Sequence, residues 1–149
     1  MPAPTNSSPG RGPQPSFGTG IFLIKYWLPV VICVIIIFSA SSIPGKAIPP
    51  IFKYQDVVFH FAEYAFLSLF LNRALKARGS AWAGCFYWAF LLCLLYALSD
   101  EWHQSFVPGR AASLYDIAVD GLGAFVAGII YLWLWLSEAK PWSSDLWRR

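Results

Sequence analysis

The sequence predicts an all-α membrane protein, a bundle of four transmembrane helices with both termini in the cytoplasm. Three observations carry this. The chain of 149 residues is 57% hydrophobic and only 13% charged, with too few polar groups to cover a soluble surface. Its apolar residues gather into runs of about 20, the length that crosses a bilayer as a helix. Short polar stretches of opposite charge character separate the runs. A net charge of +3 with scattered basic residues gives no nucleic-acid footprint. Cys33, Cys85 and Cys93 fall in apolar runs and match no zinc or disulfide spacing.

Residues 1–20 hold five prolines and four glycines and read as a disordered tail. Residues 21–136 form the membrane domain, and residues 137–149 a polar cytoplasmic tail. The first span is Ile21 to Ala40, with Lys25 its one charge and Pro29 near its entry. A cleaved signal peptide ending near Ser39-Ala40-Ser41 is the rival reading, and the long tail with a single arginine argues against it. Pro44, Pro49 and Pro50 keep 41–55 from regular helix. The second span runs from Asp56 to about Leu75 and is closed by Arg73, Lys76, Arg78 and Gly79. The third, Ala81 to Ser99, carries no charge. The fourth, Leu114 to Leu136, ends in Tyr131, Trp133 and Trp135, the residue types of the interfacial belt.

Orientation follows from lysine and arginine. With the N-terminus inside, the cytoplasmic segments hold Arg11, Lys25, Arg73, Lys76, Arg78, Lys140, Arg148 and Arg149, eight of the eleven. The other side holds Lys46, Lys53 and Arg110. Six of the eight acids, Asp56, Glu63, Asp100, Glu101, Asp116 and Asp120, lie toward that outer side.

Two polar sets stand out. Asp56, His60 and Glu63 are spaced i, i+4, i+7 and share one helix face, with Tyr64 beside them. Charge within a membrane is costly, so this stripe faces protein or water. It either serves a site or pins the second helix to its neighbours. The second set is Asp100, Glu101, His103, Gln104, Arg110 and Asp116. Pro108-Gly109 breaks the third helix, and Arg110 beyond it suits capture of a carboxylate or phosphate, or a salt bridge to an outward acid. Ser113 and Asp116 have capping-box spacing. Asp120 lies one turn deeper, where a cap does not explain it. Gly123, Ala124, Ala127 and Gly128 let the fourth helix pack closely on the second or third.

The candidate catalytic residues are Glu101, His60, His103 and Asp116, with acid–base roles. Arg110, Gln104, Asp56, Glu63 and Tyr64 are the candidate substrate contacts. Two histidines and six acids have the chemistry to hold a divalent metal. No spacing fits a zinc pattern, however, so no cofactor is expected.

Asp56-x-x-x-His60-Phe61-x-Glu63-Tyr64, then Asp100-Glu101-x-His103-Gln104-x-Phe106-x-Pro108-Gly109-Arg110-x-x-Ser113-x-x-Asp116, then Gly121-x-Gly123, resembles the VanZ-like family of bacterial membrane proteins. Ser41-Ser42 resembles the family's pattern as well. The family often has lysine where Val57 stands and asparagine where Asp120 stands. The resemblance implies a bacterial plasma-membrane location and a role in the cell envelope, with a link to low-level teicoplanin resistance. Three functions stay open: an enzyme acting on an amphiphilic or lipid-linked envelope molecule, a non-catalytic binding or shielding protein, and a small proton-coupled carrier. The partners expected are membrane lipids, a lipid-linked precursor or a glycopeptide, and further copies of the chain.

Overall fold

The computed structural model describes residues 18–138. Most of the two predicted tails therefore lies outside the described residues, although Thr19 and Gly20 already belong to the first helix and Ser137 and Glu138 to the last. Four helices run alternately up and down: α1 (Thr19–Ser41), α2 (Gln55–Lys76), α3 (Trp82–Gln104) and α4 (Leu114–Glu138). There is no strand among the described residues.

The apolar runs form α1, α3 and α4, and these three are long and apolar enough to cross a membrane. The fourth expected span, α2, is present as a helix but is less apolar than these three. It has the length, at 22 residues, but Asp56, His60, Glu63, Asn72 and Arg73 dilute its hydropathy. Its position accounts for this composition. It packs against all three other helices, so its polar groups meet protein where a peripheral helix would meet lipid. Its inner stripe, with Tyr64, Leu67, Ser68, Leu71 and Ala74, is the centre of the core. Outward faces carry exposed apolar side chains instead, such as Ile35, Leu95, Leu122 and Trp133.

Near its start α1 passes through a π-helical stretch, Leu23–Trp27, into Pro29. Pro29 has no N–H for the carbonyl of Lys25, and Arg73 of α2 donates to that oxygen at 3.3 Å. α3 extends five residues beyond the predicted Ser99, through Gln104. That extra turn is polar in sequence, but Asp100, Glu101 and Gln104 are buried against the other helices.

The small residues of α4 are used on two sides. A Cβ on Gly123 would overlap the backbone carbonyl of Phe61, so α4 meets α2 main chain to main chain. At the next residue of α4, Ser68 of α2 donates to the carbonyl of Ala124 at 2.8 Å. Gly128 lies under the Phe86 ring of α3. The expected close packing thus holds against both α2 and α3. The cysteines are free and buried, as their apolar context predicts.

The two ends of the bundle differ. At one end Lys76 lies 4.8 Å and 5.0 Å from the rings of Trp82 and Trp135. Arg73 lies over Tyr26 and Arg78 over Trp27 in the same region. At the other end the 41–54 and 105–113 connections clasp each other, with the Gly45 N–H donating to the Pro108 carbonyl at 3.1 Å. Only one short 3-10 turn, Gly45–Ala47, interrupts the first of these connections. Asp56, Glu63, Asp100, Glu101, Asp116 and Asp120 lie toward this second end.

Candidate functional site

The acidic end is built by three helices and two loops. α2 contributes His60 and Glu63, one turn apart on the face it turns inward. His60 is buried, and its Nδ1 pairs with Asp120 of α4 at 3.0 Å. This is the one ion pair among the described residues. Asp120 is fully buried, and its second oxygen, Oδ2, has no partner.

The last turn of α3 supplies two buried acids on adjacent faces. Asp100 accepts from Ser41 Oγ at 2.5 Å and from Gln104 Nε2 at 3.1 Å, which joins α3 to the end of α1. Glu101 Oε2 accepts the backbone N–H of Ser113 at 2.7 Å. Its Oε1 is buried without a partner. The capping box at α4 is therefore half made. Ser113 Oγ accepts the Asp116 N–H at 3.3 Å, but Glu101 takes the Ser113 N–H that Asp116 would have bound. The half-buried Asp116 carboxylate is left free of that role.

A cavity of about 280 Å³ opens beside this cluster, lined by Ser41, Asp56, His60, Glu63, Gln104 and Arg110 among others. Arg110 reaches it without meeting a carboxylate. Its guanidinium donates to the carbonyls of Ile43 and Ala40 at 3.3 Å and 3.4 Å, so the expected salt bridge is replaced by a clamp on the end of α1. A second cavity of about 440 Å³ lies between α1 and α2, lined by Pro29, Ile32, Ile36, Ile37, Phe66 and Phe70. Glu63 lines both cavities.

Of the nine residues predicted from sequence, Asp56, His60, Glu63, Gln104 and Arg110 share the first cavity. Glu101 lies behind it, with a donor atom within 4.8 Å of one on His60. His103 is placed elsewhere: it faces α1, stacks on Phe38 at 4.5 Å and meets Ser42 Oγ at 3.0 Å. Two residues after Glu101 on a helix, it is turned about 200° away. Tyr64 is fully buried in the core beside Tyr96, at 6.1 Å between rings, because it stands one residue past the polar stripe. Asp100 and Asp120 were absent from the predicted set and are central to the arrangement. The signal for Asp120 was its place one turn below Asp116, too deep for a cap.

Fold and site together define a helical membrane protein whose buried carboxylates gather at one end of the bundle. Residues 26–136 match the family described as VanZ/LLP1, and the chain belongs to that family. No curated protein and no solved structure matches the chain.

Proposed function

We propose that this protein sits in the bacterial cell membrane, crosses it with all four helices, and holds an amphiphilic, lipid-linked envelope molecule at its extracytoplasmic face. The orientation rests on the basic, aromatic end, whose Lys76, Arg73 and Arg78 suit the cytoplasmic interface. Both termini are then cytoplasmic and the acids face outward.

One observation carries the ligand class: Glu63 stands at the junction of a polar-mouthed cavity and an apolar groove. Ile32, Ile36 and Phe66 in that groove are largely exposed, so an acyl or polyprenyl chain enters from the side. The polar head then meets Asp56, His60, Gln104 and Arg110. A hydroxyl-rich or cationic head suits this mouth, since the arginine is already spent on carbonyls. His60 meets the head, Glu101 lies next behind it, and these are the groups placed for acid–base work.

The test is to fill the groove. Ile36→Trp should remove the amphiphile that co-purifies with wild type, as read by native mass spectrometry. In a Gram-positive host at matched membrane levels, wild type should protect selectively against teicoplanin relative to vancomycin, and both Ile36→Trp and Glu101→Gln should lose that protection. A wild type that carries no amphiphile, or an Ile36→Trp chain that carries as much, would overturn the reading. Protection no better than the empty vector would remove the glycopeptide from the ligand class.

A further inference from the structure

The pairing of His60 with Asp120 leaves a residue of unexplained chemistry. Three donor atoms, one each from His60, Glu101 and Asp120, lie within 4.8 Å of one another, and all three residues are buried. Two carboxylate oxygens, Glu101 Oε1 and Asp120 Oδ2, are buried with no hydrogen-bond partner. Buried carboxylate oxygens are seldom left so, because each loses its hydration for nothing.

Charge gives the same answer. With both carboxylates ionised and the imidazole neutral, the trio carries two negative charges. The Arg110 guanidinium is engaged with the Ile43 and Ala40 carbonyls and does not balance them. A protonated His60 cancels one charge and leaves the other. A divalent cation cancels both.

We propose that His60, Glu101 and Asp120 form a binding site for one divalent transition-metal ion of the zinc or manganese kind. One nitrogen and two carboxylates are ligands such ions accept. Bond lengths of about 2.0–2.2 Å need only a small contraction of the trio around the ion. Glu101 is already oriented from behind by the Ser113 N–H at 2.7 Å, the kind of support that metal-binding carboxylates have. The ion takes the place of the proton between His60 and Asp120, and His60, which also lines the open cavity, gives it access. The site does not depend on the amphiphile reading, and the experiment below involves no lipid ligand.

Full-length, tag-free protein in detergent micelles, prepared without chelator and then dialysed against Zn²⁺ or Mn²⁺, should hold about one ion per chain by elemental analysis. Glu101→Gln and Asp120→Asn should each weaken binding by at least about 100-fold while eluting as wild type, since even supporting residues are worth about 10–100-fold. The chain has two histidines, so His103→Ala leaves His60 alone. That variant should still bind Mn²⁺ and should show nitrogen hyperfine coupling to it. No uptake of either ion by wild type would overturn the site and leave a proton shared by the carboxylates in its place. Unchanged binding in both carboxylate variants, or Mn²⁺ without nitrogen coupling in His103→Ala, would overturn it equally. The coupling needs no carboxylate variant to fold.

Discussion

The two ends of this bundle are held by different kinds of force. At the basic end, lysine and arginine lie over the faces of Trp27, Trp82, Trp135 and Tyr26. Such contacts are broad in angle, and a side chain slides over a ring at little cost. At the acidic end, Ser41, Asp100, Gln104, Glu101, Ser113, His60 and Asp120 are tied by short directed bonds, most of them buried. A ring face fixes depth in an interface, whereas a buried hydrogen bond fixes an atom. The basic end suits an anchor and the acidic end suits a site.

The comparison breaks first at Asp100. Asp100→Leu leaves the Gln104 amide without its acceptor and Ser41 Oγ with only the carbonyls of its own helix, and should cost about 3 kcal/mol of stability, measured by unfolding in mixed micelles. Gly123→Ala forces α4 off the Phe61 carbonyl and should cost about 1–3 kcal/mol in the same assay, from the middle of the bundle. Ser113→Ala removes the acceptor for the Asp116 N–H and should cost about 1 kcal/mol. Lys76→Ala, at the basic end, loses contacts to two rings and should cost about 0.5–1 kcal/mol. A Lys76→Ala loss as large as that of Asp100→Leu would erase the distinction between the ends. A Ser113→Ala loss near zero would sharpen it differently, by showing that Glu101 alone starts α4.

Much of the fold was legible because a bilayer demands long apolar runs, and these mark α1, α3 and α4 directly. The end of α3 was not, since Asp100, Glu101 and Gln104 read as loop until three neighbouring helices bury them. The helix-face rule set His60 and Glu63 on one face, and both line the first cavity, as the rule needs only one helix. It could not name partners. His60 with Asp120 and Ser41 with Asp100 join residues about 60 positions apart, and only the packing of small residues on α4 and the run of α1 decides which groups meet. Arg110 shows the same limit. Its charge suggested an acid, and the fold offered it the carbonyls of Ala40 and Ile43 where α1 ends. His103 and Tyr64 were assigned by proximity in sequence to polar neighbours, and helical rotation sends each to a different face.

The clasp between Gly45 and Gly109 sets the height of the opening over the acids. A Cβ on Gly45 would run into the Gly109 carbonyl, and Gly109 itself holds φ of +77°, so both positions are closed to side chains. The rim is thus gauged by bare main chain. Swapping side chains around it, at Ile48, Pro50 or Asp56, would alter what the doorway prefers while leaving its clearance the same. A single methyl at Gly45 would change the clearance itself, and with it the largest head group that can pass.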